Sequence, residues 1–248
     1  MARRRRRLPP GVLFVVVLAV VLVTVVLPRL QPDIVGTPVP TQAPSAPVQA
    51  QTAAPAGTAL ALLGTLPVRG KAPLTGYDRV GDFGEAWLDV DRNGCDTRDD
   101  VLRRDLRTVR SGACKVLQGT LIDPYTRKVI AFRRGASTSD RVQIDHVVAL
   151  ANAWRTGAQR LSAAARERLA NDPINLFAVD GPTNQAKGDA DAATWLPPNA
   201  GFRCTYVAHQ VGVKAAYHLW VTPAEHAAMA AVLRTCPSTE APRSALAG

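Results

Sequence analysis

Residues 142–154 read VQIDHVVALANAW, so an acid and a histidine, Asp145 and His146, stand side by side at the end of an apolar run. Further on, residues 171–189 read NDPINLFAVDGPTNQAKGD and bring Asn175, Asn184 and Lys187 into the same part of the chain. The Asp-His pair could be no more than a strand leaving the core; phosphodiester cleavage is one chemistry that such residue types can serve. Cutting a phosphodiester needs a nucleophile, charge stabilisation at phosphorus and help for the departing oxygen, and one divalent cation can serve the last two. Mg²⁺ prefers hard oxygen ligands and keeps several waters, so a carboxylate and an amide oxygen are enough protein for it. An imidazole, with its ordinary pKa of about 6.5, is suited to take the proton from a water at neutral pH. One objection is geometric: adjacent residues on an extended strand point to opposite faces, which is awkward for a shared site.

The elements that must position these residues are short. Segment 96–110, DTRDDVLRRDLRTVR, has Val101, Leu102, Leu106 and Val109 at helical spacing, with Asp96 or Thr97 as N-cap. CKVLQGTLID (114–123) and KVIAF (128–132) are β-prone and flank a turn opened by Asp123 and Pro124, which predicts a hairpin. VQIDHVVAL (142–150) is a third strand and INLFAV (174–179) a fourth. SAAARERLAND (162–172) is helical behind a serine cap, and a short helix is expected to start near Asp189. TPAEHAAMAAVL (222–233) is a helix opened by a Thr222–Glu225 capping box with Pro223 in its first turn. There are no internal repeats, and the mixture predicts an α+β fold.

A strand with Asp-His, a second strand, a turn with Asn and then a helix is the order of a ββα-metal motif. The surrounding text, DHVVAL followed by NDPINLFAVDGPTNQAKGDADAATWLPP, resembles secreted HNH-type endonucleases of actinobacteria. It is similar to the C-terminal nuclease domain of GmrSD-type restriction systems. The resemblance runs from about Tyr77 to Cys236 and takes in GCDTRDDVLRRDL, GTLIDPYT and FRCTYVAHQVGVKAAYHLWVTPAE. It implies an HNH (His-Me finger) core with a flanking hairpin and helices. In the HNH domain of RNA-guided DNA nucleases, an asparagine on the second strand precedes the metal-binding asparagine by nine positions, as Asn175 precedes Asn184 here. Carried over on that pattern, Asp145 and Asn184 are metal ligands and His146 is the general base. Asn175 orients the histidine loop or braces a turn, and Lys187 contacts phosphate or is simply solvated. The third position of the motif is Asn rather than His, which favours Mg²⁺ or Mn²⁺ over zinc or nickel.

Other residues stand outside this constellation. His209, His218 and His226 have no partner motifs and read as surface or core. Arg133 and Arg134 could line a nucleic-acid groove, although paired surface arginines are common. Trp87, Trp154, Trp195 and Trp220 read as core rather than as base-stacking platforms. DVDRNGCDTRDD (89–100) matches a calcium-loop pattern with Asp100 in place of the usual final Glu, so Ca²⁺ competes there with a turn and helix cap.

The N-terminal region sets the compartment. MARRRRRLPP precedes an uncharged apolar run of about 17 residues, the pattern of a signal anchor or of a Sec-type signal peptide with N-inside orientation. No small-x-small site follows promptly, which favours the anchor; cleavage near VQAQTAAPA would release a secreted protein. Residues 29–57 are rich in Pro and Ala and form an extended tether, leaving 58–248 as the nuclease domain. Of the net charge of +10, the first 57 residues carry six arginines and one Asp, so the domain keeps 24 basic and 19 acidic residues, a modest excess that suits a polyanion. Cys95, Cys114, Cys204 and Cys236 lack zinc-site spacing, and an exported chain predicts two disulfides with local pairing, each contributing about 3 kcal/mol. The expectation is a monomeric, extracytoplasmic endonuclease for DNA or RNA with little sequence preference. A tethered nucleic-acid-binding protein and a phosphodiesterase for an envelope polymer stand as alternatives.

Overall fold

A computed structural model describes residues 57–135 and 139–247. The expected anchor (1–28) and nearly all of the tether lie outside the described residues. No helix among those described is long and apolar enough to cross a membrane.

The fold is α+β. Two short helices, α1 (Ala59–Leu63) and α2 (Arg79–Phe83), precede α3 (Thr97–Asp105), which opens at Asp96 with its carboxylate on the Asp99 N–H. The helical spacing read through residue 110 breaks at Asp105, and Leu106–Gly112 is strand β1. Pairing decides this: Leu106 lies against Leu121 and Gly112 against Lys115 on β2 (Lys115–Ile122), with a bulge where Thr108 takes φ +48°. Tertiary contacts override a helical pattern that the same apolar residues satisfy equally well. β2 pairs with β3 (Val129–Arg133) around a turn in which the Asp123 carboxylate accepts from the Thr126 amide and hydroxyl.

The strand expected over 142–150 stops early. β4 covers Val142–His146, and Leu150–Arg155 is helix α4. The amides of Val147 and Val148 leave the ladder because they donate to the carbonyl and side-chain oxygens of Asn175. After α5 (Ala163–Asn171), capped by Ser162, comes β5 (Leu176–Asp180), antiparallel to β4. The next helix, α6, spans Gly181–Lys187 and so ends before Asp189, where a start was expected. Asp180 caps it through the amide and hydroxyl of Thr183, Pro182 sits in its first turn, and Gly188 closes it at φ +55°. Helices α7 (Arg203–Ala216) and α8 (Pro223–Arg234) complete the chain, the latter with the full Thr222–Glu225 capping box.

Two apolar clusters flank the β4–β5 ladder. Val147 and Val179 belong to a helical core with Leu63, Phe83, Val211 and Leu233. Val142, Ile144, Leu176 and Ala178 join a second cluster with Leu102, Leu121 and Phe132. With each fully buried aliphatic side chain worth about 1.5–3 kcal/mol, the ladder is held from both faces, and its end is a rigid place to mount a site. All four cysteines are oxidised: Cys95–Cys114 ties the loop before α3 to the β1–β2 turn, and Cys204–Cys236 ties the start of α7 to the end of α8.

Candidate active site

His146 is the last residue of β4, opposite Leu176, and its side chain is buried. Nε2 lies 2.8 Å from the carbonyl oxygen of Ala170 at the end of α5. A carbonyl can only accept, so Nε2 carries the proton and Nδ1 keeps the lone pair. Nδ1 has no hydrogen-bond partner among the described residues. Burial, and after it the Arg79 guanidinium, lower the imidazole to about 3, with the Ala170 bond acting in the other direction. The ring is therefore neutral at physiological pH with one nitrogen ready to accept a proton.

Asp145 points the other way, as strand geometry requires. Its carboxylate accepts from the Tyr125 hydroxyl on one oxygen and from Lys187 Nζ, at 2.8 Å, on the other. Burial raises the carboxyl above its usual range, while Lys187 and Tyr125 draw it back down. Both residues nevertheless line one open cleft of about 250 Å³, together with Asn184, Asp189, Tyr77 and Arg79. The geometric objection is met because the strand ends at His146 and the cleft is shared at that end.

The expected site residues fall into two groups. Asn184, in α6, donates its Nδ2 to Gln143 Oε1 at 2.9 Å, which leaves its carbonyl oxygen without a donor among the described residues. Asn175 is wholly buried and does not reach the cleft. Its Oδ1 accepts from Val148 N–H and its Nδ2 donates to Leu169 C=O, tying the loop after His146 to the end of α5, so its role is positional. The reading of Lys187 as a solvated or phosphate-touching group is corrected. It is buried, and its ammonium is spent on Asp145 and on the His146 carbonyl, 2.8 Å from each. A lysine three residues after Asn184 on a helix packed against β4 turns inward to the one carboxylate there.

The remaining candidates are structural. Arg134 pairs with the buried Asp99 and donates to the Val116 carbonyl, whereas Arg133 lies on the outward face of β3. Trp154 packs with Tyr77 and Phe83, Trp195 with Tyr125 and Tyr206, and Trp220 under Arg69 and Arg160. His209 bonds the Ile174 carbonyl. In the 89–100 loop the carboxylates of Asp89, Asp91 and Asp100 accept from the amides of Asn93 and Gly94, the turn arrangement rather than a vacant cage. Sequence reasoning missed Arg79, which no motif marks, and Tyr125 and Asp189, which lie in GTLIDPYT and NQAKGDADAATWLPP but were given no role.

The donor chemistry bears on a metal. No group of three His, Cys, Asp or Glu residues that could hold an ion occurs among the described residues, so calcium at 89–100 is without support. The oxygen donors of the cleft are Asn184, Asp145 and Asp189, beside the His146 nitrogen assigned to proton transfer. Such a set fits a hard cation that keeps most of its water.

The buried imidazole has a stability consequence. His146 titrates near 6.5 when unfolded and about 3 when folded, so between those values the unfolded chain binds the extra proton and stability falls as pH drops through that window. Urea unfolding between pH 7 and 4 is expected to show this fall, and His146→Gln to reduce it. Asp145, with its raised carboxyl, works in the opposite direction, so the difference between wild type and variant isolates the histidine.

Residues 96–232 match the family described as GmrSD restriction endonucleases, C-terminal domain. A protein of Arthroderma benhamiae (strain ATCC MYA-4681 / CBS 112371), named "Uncharacterized secreted protein", is 40% identical over 184 residues, covering 73% of this chain and 86% of that one. No solved structure matches the chain.

Proposed function

Since the chain belongs to the family of the C-terminal domain of GmrSD restriction endonucleases, we propose that it is an extracytoplasmic, metal-dependent endonuclease acting on DNA, with RNA as the second substrate. The observation that carries this is His146: a neutral imidazole with Nε2–H on a backbone carbonyl and Nδ1 without a partner among the described residues, in a cleft with Asn184 and Asp145. On this reading β4, β5 and α6 are the ββα-metal core of the HNH class.

His146 takes the proton of the attacking water at Nδ1. The positive charge that then develops is disfavoured first by burial and then by Arg79, but a bound phosphodiester brings anionic oxygens that offset Arg79 and raise the proton affinity of the ring. Arg79, which forms no ion pair among the described residues, binds the phosphate. Lys187 and Tyr125 hold Asp145 in place, and Asn175 fixes the loop behind the base. Asp145, Asn184 and Asp189 would hold Mg²⁺ or Mn²⁺, which supplies charge neutralisation at the phosphoryl oxygens and the leaving group. Phosphate contacts carry no sequence information, so cleavage has little sequence preference.

Two disulfides and the secreted relative support an extracytoplasmic location. Residues 1–28 are assigned as a signal anchor or cleaved signal, 29–57 as the tether and 58–248 as a monomeric nuclease domain. The test is incubation of supercoiled plasmid and labelled RNA with the oxidised protein in Mg²⁺, Mn²⁺ or EDTA. Cleavage with either metal and none in EDTA is expected. A shift of both nucleic acids without cutting would replace the nuclease with a binding protein, and neither cutting nor shifting would direct attention to an envelope phosphodiester.

A further inference from the structure

Trp87 has φ +66°, the left-handed region that a bulky side chain rarely occupies. The surrounding loop enforces it. Gly84 turns the chain out of α2 at φ +78°, the Thr97 hydroxyl donates to the Leu88 carbonyl, and Cys95–Cys114 anchors the far end of the loop to the sheet. The result is an indole laid nearly parallel to the His146 imidazole, with ring centroids 6.1 Å apart and planes 13° apart.

That placement answers a mechanical need. His146 makes a single side-chain hydrogen bond, through Nε2 to Ala170. One such bond is lost when the ring turns away from Ala170, after which either ring nitrogen can carry the proton. A flat, half-buried surface alongside the imidazole opposes that turn. The two rings also line a hollow of only about 40 Å³ with Ala170 and Asn171, which keeps this side of the imidazole largely screened from solvent. Trp87 lies outside the matched family region, which begins at residue 96, so the family match assigns it nothing.

We propose that Trp87 is a positioning residue that holds the plane of the His146 imidazole, so that Nδ1 stays directed at the cleft. The role rests on the reading of His146 as general base. It gives the strained loop ahead of the family domain a part in the reaction.

The test uses the full chain with Trp87→Leu, which keeps apolar bulk, and Trp87→Phe, which keeps a flat ring. In plasmid cleavage with Mg²⁺, Trp87→Leu is expected to lose about 100-fold in kcat with KM within about twofold, the scale on which a misplaced catalytic group costs. Trp87→Phe is expected to recover most of the rate. Independently of activity, ¹⁵N-resolved spectra of the imidazole, assigned by loss in His146→Gln, are expected to show a single Nε2–H tautomer in wild type and Trp87→Phe but a mixture in Trp87→Leu. If wild type does not cut while the tautomer still becomes mixed, the nuclease reading fails and the positioning stands. Trp87→Leu that cuts within about twofold of wild type, or that keeps one tautomer, overturns the proposal, as does a Phe variant no better than Leu.

Discussion

Lys187→Met is expected to destabilise the protein by about 3–5 kcal/mol, because it leaves the Asp145 carboxylate buried without its cation. Tyr125 and the His146 backbone would remain, and neutral donors do not offset the burial of a charge. The variant can escape by protonating Asp145, so the loss should be smaller at pH 5.5 than at pH 8, a difference that urea unfolding at the two values measures. Adding Asp145→Asn removes the stranded charge and should restore much of the stability. It should not restore cleavage, since the carboxylate is assigned to the metal. A loss below about 1 kcal/mol in Lys187→Met would mean that the ammonium does not hold the carboxylate and that the site is built differently.

The second buried pair gives the contrasting result. Lys214 is wholly buried on α7, with Nζ 2.9 Å and 3.1 Å from the two carboxylate oxygens of Glu225 and 3.0 Å from the Trp220 carbonyl. Burial pulls the ammonium below its ordinary range and Glu225 opposes that. Lys214→Met is expected to cost about 3–5 kcal/mol for the same reason as at Lys187. Here Lys214→Met with Glu225→Gln should recover both stability and activity. The glutamine still accepts from the Thr222 amide in the capping box, and neither residue lines the cleft. Thermal or urea unfolding beside a cleavage assay separates the two pairs: one is needed for the reaction, the other only for the fold.

The sequence made the strand pair, the caps of α5 and α8 and the Asp145, His146 and Asn184 constellation legible, because each is marked by local pattern or by fixed spacing. What it hid depends on contacts between distant residues. β1 looked helical because Val101, Leu102, Leu106 and Val109 satisfy that period, and only pairing with β2 decides otherwise. The α6 boundary was misplaced because Asp180-Gly181-Pro182 reads as a turn by composition, whereas Asp180 caps a helix that starts there at once. Lys187 looked exposed because nothing near it in the chain shows that Asp145, 42 residues back, waits for it in the interior. Arg79 and Trp87 reach the site from a short helix and a loop that no motif announces, and Tyr125 from a turn whose sequence does not show that it meets Asp145.

The most direct measurement is cleavage of an end-labelled DNA duplex by wild type and His146→Ala in parallel, in Mg²⁺, with circular dichroism to verify that both are folded. Wild type is expected to cut, and the variant to be slower by about 10²–10⁴, the range contributed by a positioned general base. Equal rates in the two proteins would contradict the assignment of His146 and with it the active site described here.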